Sequence, residues 1–436
     1  MWTLDQIAEI TGGVAVGHGD VTGVGTDSRE VAPGSLFVAL SGDRFDGHEY
    51  SQAAIEAGAA AVMVERPVEA GPRVEVDDTL EALRQLAAHR RRALAAARAV
   101  GITGSTGKTS CKDLLASALG VGTWASPKSF NNEVGVPLTV LAAPDATEVL
   151  VLEVGSRGLG HISHLIGVIR PDIAIITGVG ASHLATLGDV ETVRRAKWEL
   201  VEGMEPDGIA VLPATDAVLA EWVARDGVPV RTFGEGGDVR VEDLVLDELA
   251  RPSFTLEAAG ERVPVRLTMA GAHQALNAAA AAAAGLALGR ALPDLAAGLE
   301  LAWASAWRME VIPGAHTVVN DAYNANPASM AAALQSVAAM PGRHLAVLGL
   351  MAELGETAPT AHRSVGRLAR ELGFGAVIVV GDDPGIADGA GEIATTVPDL
   401  ETARAVVSDL IEEGDVVLVK ASRSVGLETL AGELVA

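Results

Sequence analysis

The segment GITGSTGKTSCKD, residues 101–113, sets two glycines before a lysine and a threonine. A short apolar run precedes it and a segment with helical spacing follows, so we expect a strand that ends at Thr103 and a helix that opens at Lys108. Glycines let backbone N–H groups approach an anion, the helix N-terminus adds a positive dipole end, and a lysine reaches terminal phosphates. The pattern predicts a nucleotide phosphate site formed by Gly104, Ser105, Thr106, Gly107, Lys108, Thr109 and Ser110.

The spacing of this loop departs from the strict G-x-x-x-x-G-K-[ST] pattern, because Ile102 stands where the first glycine would be. An ordinary strand-turn-helix junction with a chance Gly-Lys-Thr is the alternative, but a phosphate loop of a shortened type fits the order of elements better. Such a loop is compatible with a GTPase, a kinase or a motor. The residues that follow the neighbouring strands must decide among these classes.

Two side chains are expected beside the loop because each follows a predicted strand. Glu153 ends the run VLVLE, and His183 comes after DIAIITGV. The carboxyl ends of parallel strands meet at one edge of a sheet, where a carboxylate and the hydroxyl of Thr109 can ligate Mg²⁺. A structural carboxylate and a surface histidine are the alternatives at these two positions.

Lysine and asparagine are scarce, which makes the remaining ones candidates for function. Of the 32 lysines and arginines, five are lysines: Lys108, Lys112, Lys128, Lys197 and Lys420. The asparagines fall in short clusters, at Asn131 and Asn132, at Asn277, and at Asn320, Asn324 and Asn326. A biased genome explains the low counts, so the survivors are candidates only.

The elements that must position these residues follow from the hydrophobic pattern. Residues 1–95 suit a small mixed α/β unit with strands GSLFVAL and AAVMVE. From 96 to 307, continuous apolar strands alternate with helices, which predicts a parallel sheet covered on both faces, with a hairpin in PSFTLEAAGERVPVRLTM. From 308 to 436 the alternation restarts, which predicts a second, Rossmann-like doubly wound unit.

Composition limits the class of protein. A formal charge of -25 argues against a nucleic-acid-binding surface, since such surfaces are usually basic. The single cysteine, Cys111, excludes a disulfide framework and suggests a reducing compartment. The N-terminus lacks the basic region of a signal peptide, and the most apolar segment, ALNAAAAAAAGLALG, is shorter than the roughly 20 residues of a membrane span. We expect a cytoplasmic protein, without membrane insertion, that acts as a monomer.

Nine motifs in sequence give the chain a specific resemblance. In order they are TGSTGKTSCKD, NNEVGVPLT, LEVGSRGLGHI, HLATLG, AKWEL, AHQALNA, WRMEV, NDAYNANPASM and MAELG. With these the chain resembles the Mur ligase family along essentially its whole length. Folylpolyglutamate synthetases share the central domain, but TDSREVAPGSLFVAL and GDRFDGHEY look like the UDP-sugar-binding domain of the Mur ligases that act on tripeptides and dipeptides.

The resemblance implies an activity and three domains. It implies an ATP-dependent amide ligase that joins D-alanyl-D-alanine to UDP-MurNAc-tripeptide through an acyl phosphate, in peptidoglycan precursor synthesis. It implies a UDP-sugar domain over 1–95, a phosphate-loop ATPase domain over 96–307, and a domain over 308–436 that binds the acceptor and closes over ATP. Two Mg²⁺ ions are implied, which offset the charge between γ-phosphate and carboxylate.

Carried onto this sequence, the resemblance assigns the reacting centre. Lys108 contacts the β- and γ-phosphates, Thr109 and Glu153 hold the first Mg²⁺, and His183 is a ligand of the second. Lys197 aligns with the family lysine that reacts with CO₂ to form a carbamate. A solvated helix lysine is the alternative for Lys197. Asp321 is implied as a fourth catalytic residue beside Lys108, Lys197 and His183.

The resemblance also assigns the remaining contacts. On the ATP side it implies His273, Asn277, Arg308, Asp321, Tyr323 and Asn324. On the substrate side it implies Ser28, Arg29, Arg44, His48, Asn131, Asn132, Asn326, Ser329, Lys420, Ser422 and Arg423. Helix capping is the alternative for the residues around Pro327, above all Ser329, and a simple turn is the alternative for Asp46-Gly47.

Several positions depart from the family pattern. Leu350, Ala421, Val425 and His161 replace residues that are usual in relatives, and Gln274 stands where an asparagine is common. These departures leave two alternatives open. One is a Mur-type ligase with another amine acceptor, and the other is a nucleotide-switched binding protein that uses its loop only to change shape.

Overall fold

A computed structural model describes residues 2–42, 45–180, 184–382 and 384–435. Strands and helices alternate along the chain, and the strands form main sheets of five, nine and six members. The predicted α/β class with three sheet-based units is confirmed. The predicted domain limits, after residues 95 and 307, stay predictions.

The N-terminal unit contains the five-stranded sheet, in the order β2-β9-β8-β5-β4. Its strands are β1 (Trp2–Thr3), β2 (Val14–Val16), β3 (Asp20–Val21), β4 (Gly23–Gly25), β5 (Ser35–Val38), β6 (Ser41–Gly42), β7 (Phe45–Asp46), β8 (Ala61–Val64) and β9 (Arg73–Glu75). Its helices are α1 (Leu4–Thr11), α2 (Ser51–Glu56) and α3 (Thr79–Ala93). The predicted strands GSLFVAL and AAVMVE are β5 and β8, and every residue of both is buried, as expected for the interior of a covered sheet.

The central unit contains the nine-stranded sheet, in the order β11-β12-β10-β13-β14-β15-β16-β17-β18. Its strands are β10 (Arg98–Thr103), β11 (Thr123–Ala125), β12 (Val149–Glu153), β13 (Ile173–Ile176), β14 (Ile209–Pro213), β15 (Val230–Phe233), β16 (Val239–Leu246), β17 (Pro252–Ala258) and β18 (Glu261–Arg266). Its helices are α4 (Lys108–Leu119), α5 (Gly135–Leu141), α6 (His161–Ile169), α7 (Leu184–Leu187), α8 (Val190–Glu202), α9 (Ala217–Asp226), α10 (His273–Ala287) and α11 (Leu292–Leu299).

The pairing in this sheet follows the sequence expectation. Strands β10 to β16 pair in parallel, and β17 and β18 form the predicted antiparallel hairpin. The hairpin turns at Ala259 and Gly260, which both have positive φ, as a two-residue turn between twisted strands requires. The alanines of α10 from Ala278 to Ala284 are completely buried, so this run packs tightly inside the unit.

The C-terminal unit contains the six-stranded sheet, in the order β19-β20-β24-β21-β22-β23. Its strands are β19 (Glu310–Ile312), β20 (Thr317–Asn320), β21 (His344–Gly349), β22 (Ala376–Val380), β23 (Ala394–Val397) and β24 (Val416–Lys420). Its helices are α12 (Pro327–Ala338), α13 (Ala358–Glu371), α14 (Ile386–Ala390), α15 (Leu400–Leu410) and α16 (Leu427–Glu433). All neighbouring strands are parallel except β19 and β20.

Parallel pairing decides where chemistry can occur. In the central sheet, β10 and β12 end side by side at Thr103 and Glu153, and in the C-terminal sheet β20 and β24 end at Asn320 and Lys420. The loops that leave these strand ends therefore gather at one edge of each sheet. Along the described chain we find no helix with the length and apolar character of a membrane span.

Candidate active site between the central and C-terminal sheets

A cavity of about 770 Å³ lies between the carboxyl edges of the central and C-terminal sheets. The described residues that line it come from these two units. They include Gly104, Ser105, Thr106, Gly107, Lys108, Thr109, Ser110, Asn131, Asn132, Glu153, Lys197, His273, Asn277, Arg308, Asp321, Tyr323, Asn324, Asn326, Ser329, Lys420, Ser422 and Arg423. The structure thus brings together predicted residues that are up to about three hundred positions apart in the sequence.

The phosphate loop has the predicted form. Strand β10 ends at Thr103, and α4 begins at Lys108. Gly107 has φ +80°, and a Cβ built on it would lie 2.4 Å from Oδ1 of Asn277, so only glycine fits. This close approach also places the predicted ATP residue Asn277 directly against the loop.

Lys108 points back over its own loop. Its Nζ donates to the carbonyl oxygen of Gly104 over 2.6 Å. Burial lowers the pKa of Lys108, an effect that Glu153 opposes and Arg308 reinforces. This is the one hydrogen bond of the half-buried ammonium to the described residues, so it retains donors for an anionic ligand.

Glu153 is buried and bridges the loop to the neighbouring strand. Its Oε2 accepts from Oγ1 of Thr109 over 2.7 Å, and its Oε1 accepts from Nδ2 of Asn131 over 2.8 Å. The hydroxyl and the carboxylate are hard oxygen donors that meet at the cavity wall. They suit Mg²⁺, which takes one or two protein oxygens and completes its shell with water and substrate phosphates.

The described residues contain no cluster of three or more His, Cys, Asp or Glu side chains arranged to hold a metal ion. The predicted metal ligand His183 lies outside the described residues.

Lys197 is on α8 and only 2% exposed. Burial, with a smaller repulsion from Lys108, lowers its pKa to about 7. Within the described part of the chain its Nζ has no hydrogen-bond partner. A lysine in this environment is partly uncharged at neutral pH, which distinguishes it from the solvated helix lysine of the alternative interpretation.

The C-terminal wall of the cavity is built on an ion pair. Nζ of Lys420, at the end of β24, lies 2.6 Å from Oδ2 of Asp321 and donates to the carbonyl oxygen of Asn324 over 2.8 Å. The other carboxylate oxygen of Asp321 accepts from the backbone N–H of Met309 over 3.0 Å. The pair therefore shapes the loop after β20.

Two arginines stack on aromatic rings beside this pair. The guanidinium of Arg308 lies 4.1 Å from the ring centroid of Tyr323, and that of Arg423 lies 4.3 Å from the ring of Trp307. Arg308 also donates to Oγ of Ser129 in the central unit over 3.1 Å, and its buried Nε has no partner among the residues that the structure describes. Stacking holds the planar guanidinium in place and leaves N–H donors available.

Some predicted substrate residues have structural partners. Asn326 and Ser329 form a capping box at the start of α12. Ser329 therefore has the capping role that the sequence pattern gives as the alternative to substrate binding. Nδ2 of Asn326 also donates to the carbonyl oxygen of Ser105 over 3.4 Å. Oγ of Ser422 accepts from the N–H of Ala352. Asn132 caps the turn into α5 through its Oδ1.

His273 and Asn277, both implied on the ATP side, lie one turn apart on α10 and share one of its faces. Nδ1 of His273 is buried and has no hydrogen-bond partner in the described part of the chain, and burial lowers the pKa of the ring. Nδ2 of Asn277 donates to Oε1 of Gln274 over 2.9 Å, so Gln274, which replaces the usual asparagine, orients its neighbour.

The predicted substrate residues Ser28, Arg29 and His48 lie away from this cavity, in the N-terminal unit. The exposed guanidinium of Arg29 donates two hydrogen bonds to the carboxylate of Asp27, and this bidentate contact lowers the pKa of Asp27 to about 2. Ser28 lies in the same turn. Arg44 lies outside the described residues.

His48 is buried and both of its ring nitrogens are engaged. Nδ1 lies 2.6 Å from Oδ1 of Asp46, and Nε2 accepts from the backbone N–H of Glu65 over 2.9 Å. These contacts place the proton on Nδ1. His48 therefore holds the loop in shape, and Asp46 is more than a simple turn residue because it also pairs with Arg66.

Sequence reasoning missed part of the cavity wall. Arg157, Thr177 and Glu353 also line the cavity. Oγ1 of Thr177 donates to the carbonyl oxygen of Thr106 and so supports the phosphate loop. Arg157 and Thr177 each follow a buried parallel strand, β12 or β13, and this position is the signal that would have identified them.

The balance of charge in the cavity differs from that of the protein. Six of its lining side chains are lysines or arginines and four are carboxylates, although the chain carries a formal charge of -25. Local groups thus provide the positive potential that an anionic ligand requires.

Comparison with family models gives three matches along the chain. Residues 20–91 match the catalytic domain of the Mur ligase family, residues 102–285 match the Mur ligase middle domain, and residues 307–423 match the glutamate ligase domain of Mur ligases. Each sheet-based unit therefore has its own counterpart in one family.

Comparison with individual proteins gives full-length relatives. The chain is 40% identical to the UDP-N-acetylmuramoyl-tripeptide–D-alanyl-D-alanine ligase of Mycobacterium tuberculosis, over 100% of this chain and 98% of that protein. It superimposes on a crystal structure of MurF from Acinetobacter baumannii with a TM-score of 0.91 and 32% identity, over 100% of this chain and 98% of that one. The MurF ligase of Thermotoga maritima in complex with ADP gives a TM-score of 0.84 and 30% identity, over 95% and 97%.

Proposed function

Since the chain belongs to the Mur ligase family, we propose that it joins D-alanyl-D-alanine to UDP-N-acetylmuramoyl-tripeptide with ATP. The enzyme is an ATP-dependent peptide ligase of peptidoglycan precursor synthesis. The observation that carries the proposal is the cavity in which the phosphate loop and Glu153 face the Lys420–Asp321 pair across two sheet edges. Full-length likeness to ligases of this specificity supports the choice of substrates.

The reaction needs activation because a carboxylate is a poor acyl donor. The terminal carboxylate of the tripeptide attacks the γ-phosphorus of ATP, ADP leaves, and an acyl phosphate forms. The amine of the dipeptide then attacks the acyl carbon, and phosphate leaves with one carboxylate oxygen while the amine loses a proton. Catalysis is mostly positioning and electrostatic stabilisation in such transfers.

We assign the phosphate side of the reaction to the central unit. The N–H groups of the loop and the ammonium of Lys108 bind the β- and γ-phosphates, and Asn277 and His273 contact the nucleotide. Thr109 and Glu153 would hold the first of two Mg²⁺ ions, which neutralises the charge that develops on the γ-phosphoryl group when it is bound. His183 is assigned to the second ion by resemblance alone.

We assign a carbamate to Lys197. Its lowered pKa supports this assignment, because only the uncharged amine attacks CO₂. The nitrogen forms a bond to the carbon of CO₂ and releases a proton, which converts a cation into a carboxylate-like group. The burial of Lys197 near Lys108 would then give the carbamate a cationic neighbour.

We assign the UDP end of one substrate and the acceptor dipeptide to different units. The unit over 1–95 binds the UDP end through Ser28, Arg29 and Arg44, with His48 shaping the loop. The unit over 308–436 contributes Arg308, Asp321, Tyr323 and Asn324 to ATP. It offers the acceptor the residues Asn326, Ser329, Lys420, Ser422 and Arg423, and the unit over 96–307 adds Asn131 and Asn132. The ligase acts as a monomer in the cytoplasm, where ATP is available and the lone cysteine stays reduced.

The deciding experiment measures phosphate release from ATP and Mg²⁺ with UDP-MurNAc-tripeptide, with and without D-alanyl-D-alanine. We expect release that depends on both substrates, and a product heavier than the tripeptide substrate by one dipeptide less the elements of water. Turnover restored only by another amine would overturn the acceptor and keep the family chemistry. Release that ignores the UDP-peptide would overturn the ligase and favour a nucleotide switch.

A further inference from the structure

Lys112 is a buried lysine that the ligase chemistry does not use. It lies on α4, one turn after Lys108, and is 3% exposed. Its Nζ donates to the carbonyl oxygens of Ser126 and Lys128 over 2.9 and 3.0 Å, and it lies 2.8 Å from Oδ1 of Asp113. An ammonium has three protons, so Lys112 is fully satisfied within the protein and has none left for a ligand.

Asp113 connects this lysine to a distant part of the chain. Its Oδ2 accepts from the backbone N–H and from the hydroxyl of Ser305, over 3.0 and 2.7 Å. Ser305 lies in the linker between α11 and β19, which leads from the central to the C-terminal sheet. One carboxylate therefore joins the phosphate-loop helix to the linker.

The carbonyl groups held by Lys112 belong to a segment that serves the cavity. Ser129, next to Lys128, accepts from the guanidinium of Arg308. Asn131 donates to the carboxylate of Glu153. Lys112 thus fixes the segment that holds both Arg308 and the proposed metal ligand.

The linker needs such support because its backbone is strained. Trp307 and Met309 have φ +61° and +49°, in the left-handed region that favours glycine. Such a backbone conformation is unfavourable for a residue with a side chain and persists only where surrounding contacts impose it. Arg308 lies between them, so the direction of its side chain depends on contacts on either side of it.

We propose that Lys112 and Asp113 form a positioning pair that directs Arg308 into the cavity, through Ser305 on one side and Ser129 on the other. The pair ties the helix that begins with the phosphate loop to the linker that carries Arg308. Lys108 and the N–H groups of the loop provide most of the binding energy for ATP, and Arg308 contacts the bound nucleotide chiefly during the transfer, so the pair controls the rate of the transfer more than the affinity for ATP. The proposal rests on the proposed ligase function.

The expected effect separates kcat from KM. Asp113→Ala releases the linker, so we expect kcat to fall by about tenfold to a hundredfold, the loss typical of a misplaced catalytic group. The KM for ATP should change by less than about threefold, because Lys108 and Thr109 keep their places. Ser305→Ala removes only one of the two hydrogen bonds and should give a smaller fall in the same direction.

Ser117→Ala is the matched control. Ser117 is on the same helix, and its hydroxyl donates to the carbonyl oxygen of Gly298 over 2.7 Å, away from the linker segment around Ser305 and Arg308. It loses a tertiary hydrogen bond of the same kind as Ser305→Ala does. A merely structural role predicts equal effects for the two serine variants, whereas the positioning role predicts a fall in kcat for Ser305→Ala alone.

A double-variant cycle on kcat tests whether Asp113 acts through Arg308. If it does, Asp113→Ala combined with Arg308→Ala is no slower than Arg308→Ala alone. If the losses in kcat of the two single variants multiply in the double variant, the proposal is overturned. An unchanged kcat in Ser305→Ala would also overturn it. This second variant tests the pair even if Asp113→Ala fails to fold. If the wild-type protein forms no ligation product, the proposed function itself is overturned. If the wild type ligates but the kcat of these variants equals that of Ser117→Ala, only the positioning pair is overturned.

Discussion

The two walls of the cavity differ in whether their charged side chains are paired with other protein groups. On the central wall, Lys108 has one backbone partner and Lys197 has none among the described residues, although Lys108 is half-buried and Lys197 is buried. On the C-terminal wall, Lys420 is paired with Asp321, and Arg423 with Glu428. The central wall thus keeps charges that a bound anion would satisfy, while the C-terminal wall uses its charges to maintain a shape.

The first prediction tests the central wall at Lys108. Lys108→Met should lower kcat/KM for ATP by about 10²- to 10³-fold, because a preorganised donor to the phosphates is lost. Its melting temperature should not fall, since burial already disfavours the charged lysine. Phosphate release and thermal unfolding measure the two effects. Lys128→Met, the same change at an exposed lysine, is the control, and equal losses in both variants would refute the contrast between the walls.

The second prediction concerns Lys197. Lys197→Met should reduce kcat by about 10²-fold while the affinity for ADP, measured by calorimetry, changes by less than about threefold. In ¹³C-bicarbonate, the wild type should show a carbamate resonance by NMR that the variant lacks. Near-normal turnover that is insensitive to bicarbonate would contradict the assignment.

The third prediction tests the C-terminal wall. Asp321→Asn leaves the buried ammonium of Lys420 with backbone carbonyls only, and should lower the free energy of unfolding by about 3 kcal/mol. Adding Lys420→Met should recover part of that loss, because no unpaired charge then remains. Urea denaturation of the single and double variants measures the coupling. Strictly additive losses would show that the two side chains do not act as a pair.

The fourth prediction concerns the pKa of Lys197, which burial lowers to about 7 from the usual 10.5 of a lysine. Below pH 7 the folded protein carries a buried ammonium, so Lys197→Met should be the more stable protein. Between the two pKa values the unfolded chain binds more protons than the folded one, so the wild type gains stability with rising pH, by up to about 1.4 kcal/mol per pH unit. The advantage of the variant should therefore shrink above pH 7 in CO₂-free buffer. A pH-independent difference in unfolding free energy would contradict this.

The local sequence predicted the central wall well. The order strand, glycines, lysine and threonine in residues 98–109 is a short-range pattern, and the structure places β10, the turn and α4 where that pattern requires. Glu153 could be predicted because it ends a buried parallel strand, and such strand ends meet. The family resemblance then selected the residues of the C-terminal wall, and the cavity contains them.

Other features had no sequence signal. Lys112 stands out in the sequence because lysine is scarce, but its partners do not. Two of them are carbonyl groups of a different loop and the third is the adjacent Asp113, and only folding brings the loop to the helix. His48 resembled a ligand residue, yet its two nitrogens are taken by Asp46 and Glu65. Spacing along a helix predicts which residues share a face. It does not predict whether the hydrogen-bonding groups of a side chain are already engaged by other protein groups.

The sequence by itself determined the α/β class, the phosphate loop and the edge of the sheet at which the chemistry lies, because each depends on neighbours within one strand-turn-helix unit. Only the tertiary structure decided that Lys108 keeps free donors while Lys112, one turn away, has none. It also decided how Arg308 reaches the cavity from a linker some two hundred residues after the loop. These outcomes depend on contacts between elements that are distant in the chain. No local pattern predicts which of two similar side chains will make such a contact.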